Sequence, residues 1–107
     1  MARRKWCKLY IVSEGTEWFK IGRSVNPRNR LIYMQSGNPR KLSLIKTFRV
    51  EYWRINAIEF RAHSFFKHCE RHGEWFKTDK ATAILNAAKA IGWFSYQVQD
   101  QKAHQGR

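Results

Sequence analysis

Residues 6–22 read Trp6-Cys7-Lys8-Leu9-Tyr10-Ile11-Val12, then Ser13-Glu14-Gly15-Thr16-Glu17, then Trp18-Phe19-Lys20-Ile21-Gly22, and this stretch decides the fold. Two runs rich in branched and aromatic side chains flank a polar, glycine-bearing segment, the pattern of two antiparallel strands joined by a turn. A hairpin here puts a sheet at the centre, and the residues downstream must supply its cover. Asn26-Pro27 sets a capping side chain before a proline whose fixed φ suits the first helical position, and Gly37 offers a stop after Leu31, Ile32 and Met34. A short helix is expected from about Pro27 to Gln35. Asn38-Pro39 then breaks the chain ahead of residues 42–50, where Leu42, Leu44, Phe48 and Val50 keep period two and predict a third strand.

Further on, Ile58, Ala62, Phe65, Phe66 and Cys69 form one helical stripe, which predicts a helix from Tyr52 to about His68. The run Glu74-Trp75-Phe76-Lys77 follows Gly73, and Thr78 or Asp79 then caps a helix with the stripe Ala81, Ile84, Leu85, Ala88 and Ile91, closing at Gly92. The expected class is α+β, a small three-stranded antiparallel sheet flanked by helices. Residues 1–94 read as one domain, and residues 95–107 as a polar tail expected to be disordered.

A chain of 107 residues supports one hydrophobic core, and its 43% hydrophobic content suffices to build it. Its 21 lysines and arginines stand against 8 acids, giving a net charge of +13 and a pI near 10.4, which points to a polyanionic partner. Cations are spread along the whole chain: Arg3, Arg4, Lys5 and Lys8 lead in, while Arg54, Lys67 and Arg71 lie near the second helix. Arg23, Arg28, Arg40, Lys41 and Arg61 are taken as the DNA-binding set, holding phosphates without reading sequence. Trp18 and Trp53 would stack on unpaired bases if exposed, although a domain this small also needs large aromatics inside.

No apolar run approaches the roughly 20 residues of a membrane span, and the basic N-terminus lacks a signal-type apolar stretch. A soluble cytoplasmic protein without a membrane partner is expected. Cys7 and Cys69 read as reduced thiols. His63, His68, Cys69 and His72 lack the paired short spacings of a structural zinc site. Ser13 and Ser24 have no nearby His/Asp pattern for a hydrolase triad, and no glycine-rich phosphate loop is present.

Leu9-Tyr10-Ile11, the hairpin, Lys20-Ile21-Gly22 and Arg30 in the helix that follows resemble the GIY-YIG endonucleases. Ser36-Gly37-Asn38-Pro39, residues 57–66 and Gly73-Glu74-Trp75-Phe76 are similar to the phage-type branch of that superfamily, whose second motif commonly reads K-I-G. The similarity spans roughly residues 8 to 92. It implies a metal-dependent DNA endonuclease that hydrolyses phosphodiester bonds with Mg2+ or Mn2+, in the cytoplasm of a bacterial or phage-infected cell. Duplex or single-stranded DNA, and monomer or weak homodimer, both stay open.

The resemblance assigns roles residue by residue. Tyr10 matches the tyrosine of the first motif and would take the proton of the attacking water, directly or as a phenolate. Lys20 replaces the usual tyrosine of the second motif and would act by its charge on the Tyr10 phenol or touch the scissile phosphate. Arg30 matches the helix arginine, whose fork suits two phosphate oxygens. Glu59 would hold the divalent ion, because a hard cation needs carboxylate oxygen, and by helical angle it borders the apolar stripe. His63, one turn beyond, is assigned to orienting the carboxylate or touching phosphate, and Glu74 is an alternative ligand. Each residue also has a plain structural use, from a packed strand tyrosine to an exposed helix pair of Glu59 with His63 worth about 0.2–0.5 kcal/mol. Two departures stand out: Met34 follows Arg30 by four where some members carry histidine, and no asparagine follows Glu59 at the usual remove. The competing functions are a non-catalytic nucleic-acid-binding or inhibitor protein on the same scaffold, and a partner for an acidic protein.

Overall fold

Strand β1 (Trp6–Glu14) has a partner on either side and is covered on both faces, which is why residues 9–13 are all buried and read as a nearly continuous apolar run. The computed structural model describes the backbone of residues 5–105 and the side chains of residues 5–93, so Arg3 and Arg4 lie outside the described residues. β1 turns through Gly15, at φ 69°, into β2 (Trp18–Ser24), and the hairpin pairs Tyr10 with Gly22 and Val12 with Lys20. Helix α1 (Pro27–Ser36) follows, its first turn held by Asn26 Oδ1, which accepts from the Asn29 amide at 3.2 Å. β3 (Leu42–Glu51) returns along the other edge of β1.

The class is α+β as expected, but among the described residues the antiparallel sheet has five strands, ordered β3-β1-β2-β5-β4. The two additions are β4 (Arg71–His72) and β5 (Trp75–Lys77), joined through Gly73 at φ 63°. They are too short for a periodicity to register in the sequence. β5 is held in place by its backbone pairing with Trp18 and Phe19 and by Phe76, which stacks on Phe66 with centroids 4.0 Å apart.

The expected long helix over 52–68 is shorter. A 3-10 turn (Tyr52–Arg54) precedes α2 (Ile55–Ser64), and the chain leaves it through further turns. α3 runs Lys80–Gln105 and passes through Gly92, which carries no positive φ and ends nothing. Asp79 caps it, accepting from the Thr82 amide at 2.8 Å. The backbone of the expected tail therefore continues the helix to Gln105, while its side chains lie outside the described residues. The buried stripe of α3 is Ala83, Ala87 and Ala90, with Leu85 exposed, so the predicted stripe is rotated. Three alanines have no bulk to keep the helix away from its neighbours, and they let it lie close against α2 and the sheet.

One face of the sheet buries Leu9, Ile11, Phe19, Ile21 and Val50 under α2 and α3. The other carries Tyr10, Val12 and Leu42 under α1, through Leu31 and Met34. β3 contributes to both because its register with β1 shifts between Ile11 and Val12: Lys46 pairs with Ile11 but Leu44 with Val12. That bulge puts Leu42 and Leu44 on the α1 face and Phe48 and Val50 on the other, so the period-two reading of this strand holds only piecewise. Among the described residues no helix is long and apolar enough to cross a membrane.

Candidate functional site

β5 pairs with β2 only at Trp18 and Phe19, which leaves the outer edge of β2 from Lys20 onward without a strand partner. α2 wraps this edge. His63 Nε2 lies 2.8 Å from the carbonyl oxygen of Ile21, so this nitrogen carries the proton and donates it to the strand. The contact caps a backbone acceptor that the sheet leaves open and brings α2 to the rim of the α1 face.

A pocket of about 400 Å3 forms where these elements meet. Tyr10 enters from β1, Lys20 and Arg23 from β2, Arg30 from α1, and Glu59 and His63 from α2. Tyr10 and Lys20 share the α1 face through the hairpin register. The phenol lies across Gly22, where an added Cβ would fall 2.6 Å from Tyr10 Cζ and closer still to its oxygen. Only glycine lets the tyrosine ring cross the strand there. Asn26, through its cap and the 3.2 Å bond from the Arg30 amide to its carbonyl, fixes the turn that carries Arg30.

The charges inside the pocket alternate. Arg23 Nε stands 3.9 Å from Glu59 Oε1, a loose pair, and the Glu59 side chain keeps 29% of its surface exposed. Lys20 is 12% exposed and its Nζ lies 2.5 Å from Oε2 of Glu74, which reaches in from the β4–β5 turn and is itself 75% exposed. The Lys20 hydrogen bond first, and then the Lys20 charge, hold the Glu74 carboxyl below its ordinary range against the opposing effect of burial, with smaller help from Arg30 and His63.

Among the described residues no group of three or more His, Cys, Asp or Glu side chains could hold a metal. The donor set fits a divalent ion in one way: Glu59 as a single carboxylate, with water and substrate oxygens completing the shell. Glu74, committed to Lys20, is a poorer donor than its position suggests.

The five residues assigned to chemistry, Tyr10, Lys20, Arg30, Glu59 and His63, thus line one pocket. The residues expected to bind DNA do not stay together. Arg23 joins the pocket, Arg28 and Lys41 are exposed away from it, and Arg40 pairs with Glu14 at 3.0 Å in a neighbouring groove. Arg61 points to the opposite side of α2, its guanidinium 5.0 Å from the Phe65 ring and 4.9 Å from that of Trp93. Its guanidinium packs against two aromatic rings, which places it as a half-buried, ring-stacked arginine away from the pocket. Sequence reasoning missed the Lys20–Glu74 pair, separated by 54 residues, and the Ile21 carbonyl, an acceptor that any residue carries. Gly22 was legible as motif but not as the seat of Tyr10.

A family model described as the T5orf172 domain, a phage-associated domain related to nuclease-type domains, matches residues 8–95. That span takes in every residue that lines the pocket. No curated protein and no solved structure matches the chain.

Proposed function

The chain belongs to the T5orf172 domain family, and on that premise we propose that it is a GIY-YIG-type, metal-dependent endonuclease that hydrolyses DNA phosphodiester bonds in the pocket at the β2 edge. The observation that carries this reading is the convergence of Tyr10, Lys20, Arg30, Glu59 and His63, spread over 54 positions of sequence, on one small cationic cavity.

In the proposed reaction the scissile phosphate lies against Lys20 and Arg30, whose charges balance the negative charge that grows on its oxygens. Arg30 can offer two parallel N–H donors, and Lys20 a compact charge held almost out of water. Tyr10, seated on Gly22, orients the attacking water and, acting as the phenolate, takes its proton and becomes the neutral phenol as the new P–O bond forms. The bond to the leaving oxygen breaks, and that oxygen recovers a proton from solvent. Glu59 would hold Mg2+ or Mn2+, and such an ion supplies Lewis-acid charge at the phosphate oxygens. His63 is a positioning residue: bound to the Ile21 carbonyl, it fixes the distance between α2, with Glu59, and the strand that carries Lys20.

The test is cleavage of labelled plasmid, linear duplex and single-stranded DNA in Mg2+, Mn2+ and EDTA, comparing the wild type with Glu59→Ala and Tyr10→Phe while binding is followed in parallel. Loss of cleavage in EDTA and in Glu59→Ala, with binding retained, is the expected result. Binding without cleavage of any substrate under either metal would turn the reading to a nucleic-acid-binding or inhibitor protein on a nuclease scaffold.

A further inference from the structure

Next to the β2-edge pocket, and sharing Glu74 with it, lies a larger groove of about 740 Å3. It opens on the α1 face of the sheet, where the ten-residue α1 packs mainly on β3. Its walls are Trp18 and Trp75, with His72 on one side and Pro39 and Arg40 on the other. The volume lies within the roughly 300–1,000 Å3 of small-molecule sites. Nothing in the proposed hydrolysis uses it.

We propose that this groove receives an unstacked nucleobase, that of a nucleotide next to the phosphate held by Lys20 and Arg30, and thereby selects DNA with unpaired nucleotides over intact duplex. The inference rests on the reading of the adjacent pocket as a phosphate site. Spacing is the first support. Trp18 and Lys20 stand two apart on one strand and one face, roughly 7 Å along β2, which is the scale on which a nucleotide's base is displaced from its phosphate. A cation at one end and an indole at the other match the two chemical ends of a nucleotide.

The ring chemistry is the second support. Trp18 and His72 meet at 65° with centroids 6.3 Å apart, edge to face, so the indole is not consumed in a stacked pair. Stacking platforms of this kind accept any base, because every base has a π face. The charges are the third. Glu14 is neutralised by Arg40 at 3.0 Å, so this carboxylate in the groove offers acceptors to exocyclic amines without presenting a net negative wall. A paired base inside a duplex cannot enter the groove until it leaves the stack, and a nucleotide already unpaired avoids that cost.

The test uses wild-type protein in EDTA with short oligonucleotides carrying one 2-aminopurine, whose fluorescence falls when it stacks on an aromatic ring. Single strands should be quenched on binding at one defined position, and should bind more tightly than the matching duplex. An abasic nucleotide at that position should weaken binding about five- to 150-fold, the range seen for a single stacked base, and elsewhere it should have little effect. Trp18→Ala should remove the quenching and most of the single-strand preference, while Trp18→Phe retains both. Phe60→Ala, on the far side of Glu59, should change neither. Uniform abasic effects, a preference for duplex, or quenching lost with Phe60 rather than Trp18 would each overturn the proposal. Lys20→Ala and Arg30→Ala probe the phosphate site separately, since they should weaken duplex and single strand alike and leave the quenching of the bound fraction intact.

Discussion

Gly22 and Glu74 define the pocket at the scale of single residues, and neither role can be read from its own position in the chain. A methyl at Gly22 would collide with Tyr10 at 2.6 Å from Cζ, so Gly22→Ala must push the phenol out of its seat or part the hairpin. Overpacking of this kind costs about 1–3 kcal/mol, and displacement of the proposed base should lower cleavage at least tenfold; parallel melting and cleavage assays separate the two effects. Glu74 acts through charge. Its carboxyl is held below its ordinary value of 4.5, chiefly by the Lys20 hydrogen bond, so the pair is complete above that value and is lost as pH falls through the lowered one. Because Glu74 is three-quarters exposed, solvent screening leaves the pair little weight in folding. Its weight is in binding, because phosphate must compete with Glu74 for Lys20. Glu74→Gln should therefore bind a short oligonucleotide up to about five-fold more tightly at neutral pH. The two proteins should converge as acid protonates Glu74, which fluorescence anisotropy across pH would show. The residues that a motif carries, Tyr10, Lys20, Arg30 and Glu59, were legible in the sequence because their chemistry is written in their side chains. The backbone acceptor at Ile21 and the long-range partner of Lys20 were not.

Elements follow the same division. The β1–β2 hairpin and the Asn26-Pro27 start of α1 were legible because local chemistry dictates them: branched strands about a glycine turn, a cap and a preset φ. The bulge in β3 was not, since four apolar residues at even positions look alike whether they share a face or are split between two. The β4–β5 hairpin was missed because five strand residues carry no period, yet it delivers Glu74 to the pocket and Trp75 to the groove. Its anchor is Phe76, fully buried and stacked on Phe66. Phe76→Ala should lower stability by about 3–5 kcal/mol, measurable by denaturant unfolding. At denaturant concentrations where the variant remains folded, hydrogen exchange should show the amides of residues 71–77 losing protection before those of β1. Uniform loss of protection would mean that the hairpin is part of the central cooperative unit rather than an addition to it.

Across the whole molecule, a net charge of +13 predicts polyanion binding but does not say which cations face it. Several of the basic residues are engaged elsewhere: Arg49 lies 3.9 Å over the Trp6 ring, Arg54 bonds Glu51 at 2.8 Å, Arg40 bonds Glu14, and Arg61 stacks between α2 and α3. Lys20, Arg23 and Arg30 concentrate instead at the pocket. If six to ten cations meet phosphates, affinity for DNA should fall by about 10³–10⁵ between 50 and 200 mM salt. The two classes of arginine then part in a single experiment. Arg30→Ala should weaken binding evenly across sequences and reduce the salt slope by about 0.9, the share of one phosphate contact. Arg61→Ala should leave the slope unchanged and act on the fold instead, because its guanidinium covers Phe65 and Trp93 while its buried Nε has no hydrogen-bond partner among the described residues. Removing a group that is stacked but incompletely bonded trades lost ring contact against a relieved polar burial, so the melting shift should be small. A reduced salt slope in Arg61→Ala would place the DNA on the α2–α3 side and remove the cationic pocket from the centre of the interface.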